Sequence, residues 1–268
     1  MRILNFLFSR SKQEQDKPIR DKLKTRKDFE RVLAEDLDIM ETTKARIDTA
    51  KNINLYMYRS LSYSYILILQ SKYSVDAKID ELRDIYIKSM YYFLQAFNKR
   101  NPIYADILNY VSLGVLLNIP DNNFRQLIDY VKQMDKQAKP SGWTPDLLLW
   151  FMLNSRMKEQ EKLKYAETLA YPRLYNGLYK VIQAPNAAAA KDALNKYLDR
   201  WYNLNSDAPW YNSHLKNNCY RGYWAWEVAA VAKIMHIDDS DLKNNQYYPM
   251  PVHSDDSFFV VQKLFSLI

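Results

Sequence analysis

Apolar residues recur along this chain every three to four positions, the period that lines one side of a helix. Tyr104, Ile107, Leu108, Val111, Val115 and Leu116 keep that spacing, as do Phe124, Leu127, Ile128, Val131 and Met134. Sustained period-two alternation, the mark of a half-buried strand, is hard to find. Tyr56-Met57-Tyr58 and Ser62-Tyr63-Ser64-Tyr65 suit a helix equally well. Helix-start chemistry supports this reading. Asn101-Pro102, Pro120-Asp121 and Thr144-Pro145 each join a capping side chain to a proline whose missing N–H costs little in a first turn, and Asn186 precedes Ala187-Ala188-Ala189-Ala190. The pattern predicts an all-α fold, a bundle-like array of about nine to twelve helices in two halves.

The turn-rich stretch Lys139-Pro140-Ser141-Gly142 is the best candidate linker. It divides an N-terminal helical domain, 19–139, from a C-terminal one, 143–253. A flexible N-terminal segment, 1–18, and a tail or last helix, 254–268, flank them. In that tail Phe258-Phe259-Val260-Val261 and Leu264-Phe265 are spaced to dock. No fixed-period repeat indicates a solenoid.

One span is unusually dense in aromatics. Cys219 to Ile234 carries Tyr220, Gly222, Tyr223, Trp224 and Trp226 ahead of an alanine-rich run, with Glu227 as its one carboxylate. Treated as a single helix, it puts Trp224, Val228, Val231 and Met235 on one face and Tyr223, Glu227, Ala230 and Ile234 on the next. A helix apolar on nearly every side belongs inside a protein, where an ionised carboxylate is expensive unless paired. Glu227 therefore has two readings. It is either a general acid with a raised pKa or a hydrogen-bonded structural anchor held by a tyrosine hydroxyl, a tryptophan N–H or an arginine such as Arg173, Arg200 or Arg221. No second carboxylate or histidine lies at helical spacing from it, which favours the anchor.

Composition removes several function classes. At 268 residues and 48% hydrophobic content the chain can bury one large core or two smaller ones. Its four glycines, Gly114, Gly142, Gly177 and Gly222, are too dispersed for a phosphate-cradling loop. A single cysteine, Cys219, excludes an intrachain disulfide and any multi-cysteine metal centre, and suits a reducing compartment. His214, His236 and His253 show none of the spacings that put two metal ligands on one helix face. No cofactor, metal or catalytic residue is expected, and the chain is not read as an enzyme. Ile3 to Phe8 is too short and too basic in its surroundings for a secretory leader, and Leu55 to Leu69 is interrupted by Arg59 and several serines. A cytoplasmic, soluble protein is expected.

Net charge is +7, which invites a nucleic-acid partner, and aromatics interleaved with lysine and arginine can stack on bases. Tyrosines at helical spacing, such as Tyr56, Tyr63, Tyr73, Tyr86, Tyr91 and Tyr92, fit a core edge better. The excess charge is spread over the first two hundred residues. Residues 201–268 hold five lysines and arginines against seven acids. Asp238, Asp239, Asp241, Asp255 and Asp256 cluster there, either as a helix start capped by Asp238 or Ser240 or as a patch for a basic protein.

Several of these stretches resemble one family. Tyr220-Arg221-Gly222-Tyr223-Trp224, Glu227, Ala229-Ala230 and Lys233-Ile234, the following Ile237-Asp238-Asp239-Ser240 turn and Tyr247-Tyr248-Pro249 are similar to the C-terminal domain of the PoNe immunity proteins, PoNi. Trp201-Tyr202 and Trp210-Tyr211-Asn212-Ser213-His214 resemble further elements of it. In the first half Arg20-Asp21, Lys72-Tyr73-Ser74 and Ser112-Leu113 through Leu116-Leu117 resemble that family's R-D-x-L, K-Y-S and S-L-x-x-L-L elements. The likeness runs from about residue 19 to residue 253. It implies a binder that neutralises a cognate antibacterial PoNe-type DNase toxin of the PD-(D/E)xK superfamily, delivered between competing bacteria by secretion systems. Binding would occlude the toxin's active cleft, in the cytoplasm, with no membrane involvement and no direct nucleic-acid contact. A nucleic-acid-binding helical protein is the alternative. Asp238, Asp239, Asp241, Asp255, Asp256, Trp210 and Tyr211 are the expected partner contacts. Gly222, Tyr223, Trp224, Glu227, Tyr248 and Pro249 are expected to be scaffold.

Overall fold

A computed structural model describes residues 18–97, 103–136, 143–164 and 166–250. Among them nine α-helices and three short 3-10 turns occur, and no strand. The helices are α1 (Arg26–Thr49), α2 (Leu55–Ser74), α3 (Ile79–Phe97), α4 (Tyr104–Leu116), α5 (Asp121–Lys136), α6 (Leu147–Asn154), α7 (Pro172–Ile182), α8 (Ala187–Leu204) and α9 (Trp226–Ile234). The all-α expectation holds.

Their starts follow local chemistry. Thr25 and Asp28 form a reciprocal capping box at α1, and Asn54 accepts from the Tyr56 N–H at α2. Asn186 caps α8 as expected, accepting from Ala189 N–H at 2.9 Å. Pro120 stands just ahead of Asp121 at α5, and Pro172 lies in the first turn of α7. The Thr144-Pro145 cap is displaced by two residues. Asp146 has the longer reach, and its Oδ1 takes the Leu149 N–H at 2.8 Å. Asn101-Pro102, Lys139–Gly142, the first 17 residues and the tail with Phe258 and Leu264 lie outside the described residues.

A larger correction concerns residues 219–234. Only Trp226–Ile234 is helical, and Tyr220 to Ala225 runs as irregular backbone with Gly222 at φ +106°. The wheel faces that placed Tyr223 and Trp224 beside Glu227 and Val228 therefore do not exist. That φ is one side chains rarely adopt, so the chain leaves helical geometry there. The aromatic rings then reach different parts of the core.

α1, α2 and α3 pack side by side with α2 in the middle, while α7 pairs with α8. α4 is buried against α9. Gly114 permits close packing at α4, since a Cβ there would lie 3.0 Å from the Tyr86 hydroxyl. One apolar cluster runs from Phe29 to Tyr248, and a smaller one joins Leu33, Met40, Leu61, Tyr65 and Ile68. Three cations tie down the C-terminal end of α4, where carbonyls lack helical partners. Lys233 Nζ donates to Val115 O at 2.8 Å, Arg83 Nε to Leu117 O at 3.0 Å and Arg156 to Ile119 O at 3.0 Å. Burial, with Arg156 and Arg83 nearby, pulls the Lys233 pKa down to about 8.

Candidate functional site

The stretches singled out in the sequence converge on one junction. Ser74, at the end of α2, donates from Oγ to Arg221 O at 2.9 Å and accepts from Trp224 Nε1 at 2.9 Å. Its carbonyl takes the Arg20 N–H at 3.0 Å and the Asp21 N–H at 3.3 Å. Arg20 lies over the Tyr73 ring and donates to Tyr73 O, while the Tyr73 ring meets Trp224 and Trp226 edge-on. Tyr220 donates to Asp21, whose carboxyl pKa is raised by burial and held back by that bond and two backbone N–H groups. Arg20-Asp21, Lys72-Tyr73-Ser74 and Tyr220 to Trp224 are thus parts of one joint between distant segments.

Two carboxylates, Asp36 buried and Glu227 half-buried, brace this region. Asp36 on α1 takes two parallel bonds from Arg221, Nε to Oδ2 and Nη2 to Oδ1, both at 2.7 Å. Burial raises the Asp36 pKa and the guanidinium offsets part of that. Glu227 has a different partner. Trp201 Nε1 donates to its Oε1 at 2.6 Å, so the tryptophan option of the anchor reading is realised. Arg221 is committed to Asp36 and Arg173 pairs with Asp207. Burial pushes the half-buried Glu227 up to about 7, partly offset by its own backbone N–H and the Trp201 bond. The groups whose charge it perturbs are the phenols of Tyr175, Tyr197 and Tyr104. Among the described residues no histidine, lysine or second carboxylate figures among the causes of its shift.

The expected contact residues fall into two neighbouring groups. Trp210 stacks on Trp201 with centroids 5.4 Å apart, and Tyr211 on Tyr202 at 4.5 Å. The Trp210–His214 stretch locks onto Tyr223, whose hydroxyl receives the His214 N–H at 3.0 Å and the Ser213 hydroxyl at 3.2 Å. Tyr247 packs on both Trp201 and Tyr202, linking the aromatics to the acidic turn that follows α9. There Lys191 pairs with Asp238 at 3.3 Å and Asp241 at 3.1 Å, and Tyr248 donates to Asp239 at 2.6 Å. Asp238 also accepts from the Ser240 N–H at 3.1 Å, but the residue at the start of the short turn Ser240–Asn244 is Asp239, with no side-chain capping bond, so the expected cap by Asp238 or Ser240 is not formed. Asp238 and Asp241 stay exposed. Asp255 and Asp256 lie outside the described residues.

Sequence reasoning missed the Asp36–Arg221 pair. A signal was present, since Asp36 falls on the stripe Phe29, Val32, Leu33, Met40 at helical spacing and so had to be buried. Its partner lies 185 positions away.

Among the described residues no three His, Cys, Asp or Glu side chains gather to hold a metal ion, and no helix is long and apolar enough to cross a membrane. A cavity of about 10 Å³ beside Phe29 and Tyr220 has room for one water. A broad depression over Asp129, Lys132, Gln133 and Lys136 is formed by one helix. Neither brings converging acid and base groups together.

Comparison with known proteins agrees with the motif reading. The chain superposes on the crystal structure of protein PA2201 from Pseudomonas aeruginosa with a TM-score of 0.65 and 17% identity, covering 87% of this chain and 88% of that one. At that identity the likeness speaks for the fold. Among curated proteins no sequence matches significantly. Residues 12–129 match the family model for the PoNe immunity protein N-terminal region, and residues 144–252 the model for the C-terminal region. With both regions present in order, and their motif residues meeting at Ser74, the chain belongs to the PoNe immunity protein (PoNi) family.

Proposed function

We propose that this protein neutralises a cognate PoNe-type DNase toxin by stoichiometric binding that occludes the nuclease's active cleft. The match of both family regions carries this reading. The geometry is consistent with it, because the motif residues are spent on internal contacts that stiffen a scaffold. A stiff scaffold gives up little conformational entropy when it binds. The protein transforms no substrate and acts in the cytoplasm of the producing cell, where the DNA is. Trp210, Tyr211, Asp238, Asp239 and Asp241 are proposed to lie at the rim of the contact, with electrostatic attraction guiding encounter.

Co-expression with the toxin tests the proposal. The natural candidate is an adjacent open reading frame that ends in a nuclease domain. Cells expressing both should survive, and purified protein should abolish DNA cleavage at one equivalent of toxin. Cell death despite soluble immunity protein would refute it. A gel shift at low and moderate salt separates the nucleic-acid alternative, which requires salt-dependent DNA affinity without any toxin.

A further inference from the structure

Leu215 leaves 73% of its surface exposed, more than any other large apolar side chain among the described residues. A single exposed leucine is ordinary on a protein surface. This one differs in how its backbone is fixed. It ends the 3-10 turn Ser213–Leu215, which is closed by bonds from Leu215 N–H to Asn212 O at 3.0 Å and from Lys216 N–H to Ser213 O at 2.9 Å. Three separate parts of the chain pin that turn from outside. Tyr202 of α8 donates its hydroxyl to Asn212 Oδ1 at 2.9 Å and accepts the Asn212 N–H at 3.2 Å. From the segment before α9, the Tyr223 hydroxyl receives the Ser213 hydroxyl and the His214 N–H, and Arg221 donates to Asn218 O at 2.8 Å. Arg31 of α1 donates to Asn217 O. Asn212 itself sits at φ +57°, a left-handed geometry that asparagine tolerates.

The two flanks of the turn differ in chemistry. Just before it, Trp210 and Tyr211 stack on Trp201 and Tyr202, so it is continuous with the contact rim proposed above. Beyond it lie cations. Lys216 follows Leu215 and is exposed, exposed Arg31 reaches Asn217, and Lys24 lines the same small cavity as Asn217. Asp28, the one carboxylate lining that cavity, caps α1 by accepting the Thr25 N–H and hydroxyl, and lies 3.6 Å from Arg31. Lys24 and Lys216 form no ion pair among the described residues. An apolar knob beside such cations suits an apolar pocket with an acidic rim. Because the turn is already fixed, burying the knob requires little further ordering of the chain.

We infer that Leu215 is the central apolar anchor of the toxin contact, inserted as a preformed knob into an apolar pocket of the nuclease whose rim is acidic. This rests on the immunity reading and adds to it the residue on which affinity turns. Lys216, Lys24 and Arg31 meet the rim, while Trp210 and Tyr211 shield the other side of the knob from water.

Calorimetric titration against the toxin's nuclease domain, made by cell-free synthesis, tests the inference. Leu215→Asp should weaken binding on the order of 100-fold and Leu215→Ala on the order of 10-fold, both with the melting temperature of wild type. Lys216→Glu should slow association, with the loss shrinking as salt is raised. Tyr91→Asp, at an exposed position on α3, should bind as wild type does. Wild-type affinity in Leu215→Asp, or faster association of Lys216→Glu, would overturn the inference and leave the immunity reading intact. Self-association or DNA affinity of the wild-type protein that Leu215→Asp abolishes would assign the knob to a second copy or to nucleic acid, and so overturn it too. Wild-type protein that neither binds nor inhibits the nuclease would overturn both.

Discussion

Asp36 and Glu227 are both carboxylates set into an apolar interior, and the molecule treats them differently. Asp36 meets a guanidinium that fills both of its oxygens with charged donors. Glu227 meets one neutral indole N–H, and its pKa climbs to about 7. The first arrangement joins α1 to the irregular segment before α9 and holds its charge by Coulomb attraction. The second keeps a carboxyl that is easily neutralised, and so ties the stability of the second half to pH near neutrality. What separates them is the partner's charge, because both sites are desolvated.

The largest expected effect comes from breaking the first arrangement. Arg221→Met or Asp36→Leu alone should cost about 3–5 kcal/mol in denaturant unfolding, because each leaves a buried charge unpaired. Replacing both together should recover much of that loss. If the double variant is as weak as the singles, apolar packing around Asp36, and not its charge, is what matters there.

Next in size is the backbone that aims Arg221. Gly222→Ala should destabilise by about 3 kcal/mol. A Cβ there would collide with the Trp224 indole nitrogen and lie 2.5 Å from Ser74 Oγ, on a residue at φ +106°. Unfolding midpoints equal to wild type would mean that the joint at Ser74 gives way easily.

Glu227 should give the smallest effect and the most selective one. Its proton is held more tightly in the folded chain than in the unfolded one, where the group titrates near 4.5. The associated stability is therefore complete below about pH 4.5, falls as pH rises toward 7 and stays lost above it, by on the order of 2 kcal/mol once solvent screening of this half-buried group is allowed for. Burial raises Asp21, Asp36 and Asp146 with the same sign, so the informative quantity is the difference from Glu227→Gln. That variant should lose the decline over this window. Parallel pH profiles for the two proteins would show that Glu227 stays ionised in the fold.

The parts legible from sequence were those set by local chemistry. The periods of α4 and α5 and the Asn186 cap depend on neighbours within a few residues. Glu227 announced itself as costly because everything around it in sequence was apolar. What sequence obscured was set by distance. Tyr220 to Ala225 looked helical in composition, yet its backbone is shaped by Ser74, about 150 positions earlier. The acidic turn looked unpaired because Lys191 lies on α8, 47 residues before Asp238.

The burial of α4 against α9 also bears on how the protein is made. When α4 leaves the ribosome, Ile107, Leu108, Val111, Leu113 and Val115 have no α9 to cover them. Translation of the intervening stretch takes roughly 5–20 s. For that interval the nascent chain carries an uncovered greasy helix, so trigger-type chaperones should engage it during synthesis, and truncations ending before Trp226 should be recovered as aggregates.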